Sequence, residues 1–226
     1  MRITSKNALK EALNNPKSIK KIYLSSKFND QDIIKLIKNN KVHYESIDSF
    51  KLNKMESNNQ GLLAIIDDYE YYNLDDLLND NIIIMLDHLE DPHNLGAIIR
   101  TVEAAGIKSI IIPKDRSVDV NETVMKTSTG ALNYVKIARV TNLVNAINEL
   151  KKCGYFVYGA DMDGIDYKKV SYSDKVVLVI GAEGNGISNL VRKNCDEIVS
   201  LPMKGHVNSL NASVAASILI YDLISK

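Results

Sequence analysis

Cysteine is scarce in this 226-residue chain, and the two present do not cluster. Cys153 and Cys195 are isolated, with no CxxC or Cys/His spacing. That argues against a disulfide framework or a zinc site and predicts plain buried or half-buried thiols. Long apolar runs are also missing. The longest, Ile82 to Leu86 and Val176 to Ile180, fall far short of the roughly 20 residues a membrane span needs. The opening MRITSKNALKEAL lacks the apolar core of an export signal. Net charge is absent too, with 28 Lys+Arg against 28 Asp+Glu. These absences predict a cytoplasmic protein with no membrane partner. Its composition, 45% apolar and 25% charged, is ordinary for a globular core.

The charge is unevenly spread. Residues 1–66 hold twelve basic and six acidic residues, residues 67–91 nine acidic and no basic, and the remainder sixteen basic and thirteen acidic. A basic head, an acidic connector and a mildly basic body predict two domains, the first able to approach a polyanion. The boundaries fall at 1–72 for the head, 73–80 for an acidic linker and 81–226 for the body.

The head reads as a small α/β unit. A helix is expected at Asn7–Leu13 and strands at Lys20–Leu24, Val42–Ile47 and Leu62–Ile66. Asp30 caps a helix whose stripe is Ile33, Ile34 and Ile37. In the body, apolar strands at Ile82–Asp87, Ser109–Pro113, Val135–Arg139, Phe156–Ala160, Val176–Ile180 and Ile198–Leu201 alternate with helices at Leu95–Ala105, Glu122–Thr127, Leu143–Lys152, Ser188–Asn194 and Leu210–Ser225. That alternation predicts a mostly parallel sheet covered on both faces, with ligands at the carboxyl ends of its strands.

Three strand-to-helix junctions carry the candidate chemistry. In LDHLEDPHNLGAIIRTVEAAG, residues 86–106, Asn94 stands where a helix N-cap is expected, and Arg100 lies off the apolar stripe of Leu95, Ile98, Ile99 and Val102. Arg100 is either a functional group or half of a surface ion pair with Glu103. In VVLVIGAEGNGIS, residues 176–188, Gly181, Gly184 and Gly186 follow a buried strand, at a spacing that is neither a Walker loop nor GxGxxG. Such glycines admit close backbone approach or positive φ, and Glu183 among them would repel a pyrophosphate. In VSLPMKGHVNSLNASVAASILIYDL, residues 199–223, Ser209 is the expected cap of a long apolar helix, with Asn211 in its first turn.

Together these segments resemble the three signature motifs of the SpoU family of RNA ribose 2′-O-methyltransferases, within the SPOUT superfamily. The likeness spans residues 82–226. KNALKEAL at 6–13 and NQGLLAII at 59–66 resemble the small L30e-like domain of rRNA-directed members, although Lys6 stands where a glycine is usual. The resemblance implies an α/β fold with a deep trefoil knot, S-adenosylmethionine as cofactor and no metal. It implies cofactor contacts from Gly181, Leu201 and Leu210, and a catalytic set of Asn94, Arg100, Glu183, Ser209 and Asn211. It further implies a homodimer paired through the last helix, acting on structured RNA. The expected reaction is methylation of a guanosine 2′-hydroxyl in large-subunit (23S) rRNA. The alternatives are a tRNA ribose methyltransferase and a noncatalytic RNA-binding assembly factor.

On chemical grounds a guanidinium, with a pKa above about 12, makes a poor base at neutral pH. Arg100 is therefore expected to hold a phosphate and stabilise developing charge on the 2′-oxygen, with Ser209, Asn211 and Asn94 orienting it and the ribose. Glu183 would accept from Asn94 or Arg100, or meet the cofactor's amino group. His93 and His206 sit in these loops without being required by the motifs. His88 and His93 with Glu90 and Asp91 do not make a metal set.

Overall fold

A strand of only two residues, β1 (Arg2–Ile3), opens the chain, too short to show period-two patterning. It is followed by α1 (Lys6–Asn14), β2 (Ile19–Ser25), α2 (Gln31–Asn39), β3 (Tyr44–Ile47), α3 (Ser49–Met55) and β4 (Leu62–Ile66). The sheet order is β1-β4-β2-β3, with β2 and β3 parallel and the other pairs antiparallel. The computed structural model describes residues 1–14, 16–184 and 186–226. Asp30 caps α2 by accepting from Ile33 N, as its position predicts. Leu9, Ile22, Ile33, Ile37 and Leu62 form the core of this unit. Full burial of such a side chain is worth about 1.5–3 kcal/mol. Sequence reading misses α3, because only Leu52 of its seven residues is buried and a single apolar residue makes no stripe.

The second unit comprises β5 (Ile82–Asp87), α4 (Pro92–Ala104), β6 (Ser109–Pro113), β7 (Lys136–Val140), α6 (Leu143–Lys152), β8 (Phe156–Asp166), β9 (Val176–Gly181), α7 (Asn189–Asn194), β10 (Glu197–Ser200) and α8 (Ala212–Ile224). Its six strands run in the order β10-β8-β9-β5-β6-β7, and every pairing is parallel. The helix between β6 and β7, α5 (Glu122–Ser128), belongs by its contacts to the first unit. The units are residues 1–70 with 120–130, and residues 71–119 with 131–226. Sequence order alone assigns 120–130 to the body. Chemistry places them with the head: Glu122 Oε1 accepts from Thr4 N at 2.7 Å and Ser5 N at 3.1 Å, just ahead of α1, and Met125 packs on the head's core.

β8 runs six residues past its expected end at Ala160, and its extension through Gly164 lies against β10. A Cβ on Gly164 would stand 2.4 Å from the Ile198 carbonyl oxygen, so only glycine lets these backbones approach so closely. Among the described residues, no helix is long and apolar enough to cross a membrane.

Candidate active site

The ends of β5, β9 and β10 feed three loops. After β5, Asp91 rather than Asn94 caps α4: its carboxylate accepts from His93 N at 2.9 Å, and Pro92 takes the first helical position, where an N–H is not needed. The helix thus starts three residues before its expected Leu95. Asn94 is placed in the first turn, buried, with its side chain free for other partners. After β9, an Ala182–Gly186 bridge pinches the loop, with Gly184 at φ 78° and Gly186 at φ 62°. After β10, a mostly exposed loop ends at Asn211, and Asn211 rather than Ser209 caps α8, accepting from Ser213 N at 2.9 Å and Val214 N at 3.3 Å.

These loops converge on one carboxylate. Asn94 Nδ2 donates to Glu183 Oε1 at 2.9 Å, Asn211 Nδ2 donates to Asn94 Oδ1 at 3.0 Å, and Asn211 Nδ2 also donates to Glu183 Oε1. Two amides and a carboxylate, from the first turn of α4, the cap of α8 and the loop after β9, form a closed polar network, which fixes all three side chains.

Two cavities meet at Glu183 of this network. One, of about 450 Å³, is lined by Ile180, Gly181, Leu201, Met203, Ser209 and Leu210 among others, so the three expected cofactor contacts all border one space. The other, of about 460 Å³, is lined by Asp87, His88, Glu90, Asn94 and Arg116 among others. Ala182, Glu183 and Gly186 border both. The first also meets Asp161, whose carboxylate, with that of Asp163, is gripped by the Arg192 guanidinium. That grip holds the Asp163 carboxyl below the usual carboxylate range.

The glycines divide by role. Gly181 lies in β9, and a Cβ there would fall 2.0 Å from the Gly186 carbonyl carbon and 2.3 Å from Ile187 N. Its lack of a side chain is therefore required by the protein's own loop before any ligand is considered. Gly184 needs its positive φ but faces open space.

Arg100 stands apart. It is exposed on α4, lines neither cavity, and among the described residues it makes no ion pair, the expected one with Glu103 included. His93 and His206 are exposed and line neither cavity. Of the cysteines, Cys195 is half-buried and burial pushes its thiol up to about 12, whereas Cys153 is exposed, contrary to its expected burial. His88 Nδ1 lies 2.5 Å from Asp87 Oδ1, a pairing that no motif signals.

A parallel sheet with a closed polar network and two cavities at the carboxyl ends of its strands defines an α/β domain of the kind that binds ligands at those ends. Residues 81–221 match the SpoU rRNA Methylase family and residues 6–72 match the RNA 2′-O ribose methyltransferase substrate-binding family, and the chain belongs to the SpoU methylase family. It is 42% identical, over an alignment 236 positions long, to a protein of Staphylococcus haemolyticus named as a TrmH family tRNA/rRNA methyltransferase, covering 99% of this chain and 95% of that one. Among solved structures, the SpoU methyltransferase AviRb from Streptomyces viridochromogenes superposes with a TM-score of 0.81 at 21% identity, covering 100% of this chain and 89% of the other. The TrmH/SpoU tRNA-modifying enzyme of A. aeolicus gives 0.58 at 28% identity, covering 67% of this chain and 83% of the other.

Proposed function

We propose that this chain transfers a methyl group from S-adenosylmethionine to a ribose 2′-hydroxyl, that of a guanosine in large-subunit rRNA. The observation that carries the reading is the Asn94–Glu183–Asn211 network, whose Glu183 borders both cavities. The cavity bordered by Gly181, Leu201 and Leu210 fits the cofactor: its volume is in the range of small-molecule sites, and apolar side chains surround the backbone edges of three loops. The cofactor supplies an activated methyl group; the protein positions the acceptor hydroxyl and handles its charge. The family's knotted threading is inferred for residues 81–221 from their match to the SpoU family alone.

The head supports an rRNA target, because the A. aeolicus tRNA-modifying enzyme aligns with only 67% of this chain whereas the rRNA methyltransferase of Sinorhizobium meliloti aligns with 98% of it. A homodimer is supported by α8, where Val214, Ile218 and Tyr221 form an exposed apolar stripe at i, i+4 and i+7. Pairing there also gives Arg100 a role. Its neighbour Thr101 hydrogen-bonds Ser217 of α8 at 3.0 Å, so a second copy docked on α8 brings Arg100 toward the other copy's site. Ser209, on the wall of the cofactor cavity, and Asn211 then orient the incoming guanidinium and ribose.

The test is incubation with radiolabelled S-adenosylmethionine and unmodified 23S rRNA, 16S rRNA and tRNA transcripts, followed by mapping of the methylated ribose. Label in tRNA alone would overturn the rRNA assignment. No label in any RNA would leave the assembly-factor reading.

A further inference from the structure

The second cavity contains an acid–imidazole pair that the motifs do not require. Asp87, 1% exposed at the end of β5, spans two partners: Oδ2 accepts from Ser188 N at 2.6 Å, and Oδ1 meets His88 Nδ1 at 2.5 Å. The carboxylate is an acceptor only, so Nδ1 carries the proton and donates, leaving the Nε2 lone pair free. His88 itself is 32% exposed on the cavity wall, accessible to an incoming hydroxyl.

The backbone holds this arrangement under strain. His88 has φ 57° and Arg116 has φ 51°, both in the left-handed region without being glycine, and both line this cavity. Each such residue costs on the order of 1–3 kcal/mol and persists only where its surroundings fix it. Here the two loops are laced together, since the Leu89 carbonyl accepts from Val118 N at 2.7 Å and from Ser117 Oγ at 3.1 Å. The other charged groups lining this cavity are Glu90, Asp91, Arg116 and Glu183. Glu183 already receives two amide donors on one oxygen.

From this geometry we infer that the second cavity receives the acceptor ribose and that His88, oriented by Asp87, takes the 2′-hydroxyl proton. The inference rests on the methyl transfer proposed above. The ribose O2′ bonds to the methyl carbon as that carbon's bond to sulfur breaks, with the electron pair leaving on sulfur. The O2′ proton passes to His88 Nε2 and from there to solvent, which frees Arg100 to act through charge alone. General-base transfer of this kind contributes about 10²–10⁴-fold.

The test uses the full-length protein. His88→Asn keeps a residue type that tolerates the left-handed region but removes the base, and His88→Gly removes the strain as well. The expected results are a single-turnover rate at least about a hundredfold lower in both variants and partial restoration of His88→Gly by added imidazole. Independently of turnover, the imidazole 15N spectrum of the wild-type protein should show His88 as the Nδ1–H tautomer, with an Nε2 shift that moves on adding methyl-acceptor RNA. A His88→Asn rate within about threefold of wild type, no restoration of His88→Gly by imidazole, or the opposite tautomer would overturn the role of His88 while leaving the methyltransferase reading intact. A wild-type protein inactive on every RNA would overturn both.

Discussion

Asn94 and Glu183 are 89 positions apart in the chain and are joined by one hydrogen bond, Nδ2 to Oε1 at 2.9 Å, with Asn211 donating to both residues. A buried amide whose two ends serve different loops is costly to remove, because its former partners lose their pairing. Asn94→Ala should destabilise the protein by about 1–3 kcal/mol in urea unfolding. Combined with Asn211→Ala, which also removes the α8 cap, the cycle should show a coupling of about 0.5–3 kcal/mol. Strict additivity would mean that the three side chains do not act as a unit.

Gly181 tests whether loop packing and ligand binding can be separated. Even alanine would place its Cβ 2.0 Å from the Gly186 carbonyl carbon. Gly181→Ala should therefore weaken S-adenosylhomocysteine by tenfold or more, about 1.4 kcal/mol, and lower the urea midpoint as well. Weakened binding with an unchanged midpoint would show that the glycine serves the ligand alone.

In the head, the Glu122 carboxylate receives Thr4 N and Ser5 N at the start of α1. Glu122→Ala leaves both amides short of a partner and should cost about 1–3 kcal/mol in the stability of that unit. RNA affinity should fall in parallel. Deleting residues 1–72 should weaken RNA binding and flatten its salt dependence, since phosphate contacts release counterions. Because α5 would lose the core on which Met125 packs, the deletion should leave 120–130 open to protease. An intact 120–130 segment in the truncated protein would show that α5 does not depend on the head.

The exposed stripe of Val214, Ile218 and Tyr221 should mediate self-association. Sedimentation should give a dimer at micromolar concentration, and Ile218→Lys should give a monomer by placing a charge within an apolar contact. A wild-type monomer would count against the paired site.

Much of this was legible in the sequence wherever one signal dominated. The apolar runs Ile82–Leu86 and Val176–Ile180 specify central strands β5 and β9, and capping by Asp30 follows from its place before an apolar stripe. Caps that compete within a few residues were not legible. Asp91 and Asn94 both suit an N-cap, as do Ser209 and Asn211, and tertiary partners decide between them: Glu183 claims the side chain of Asn94. The Asp87–His88 pair was invisible because its meaning depends on Ser188 and Arg116, which only the fold brings near. The place of α5 was hidden for the same reason, since periodicity reports a helix without saying which core covers it.

Arg100 offers the sharpest test, because it lines neither cavity and makes no ion pair among the described residues. If it grips a phosphate and stabilises charge developing on the 2′-oxygen, Arg100→Ala should lower turnover at least about a hundredfold, roughly 2.7 kcal/mol of transition-state stabilisation. S-adenosylhomocysteine affinity should hardly change, since Leu201 and Leu210 border that cavity and Arg100 does not. Arg100→Lys should rescue little, because an ammonium cannot reproduce the planar fork. The pH dependence of single turnover should survive in Arg100→Lys, because the titrating proton belongs to another group. An inflection lost in that variant would make Arg100 the base. Mixing tells whether the residue acts across the dimer. Arg100→Ala and Glu183→Ala proteins are each expected to be inactive, yet a mixed dimer holds one site with Glu183 from one copy and Arg100 from the other. Free subunit exchange in a two-fold dimer should then restore about a quarter of wild-type turnover. No recovery in confirmed mixed dimers would place Arg100 in its own chain's site. Near-normal turnover of Arg100→Ala alone would remove it from catalysis altogether.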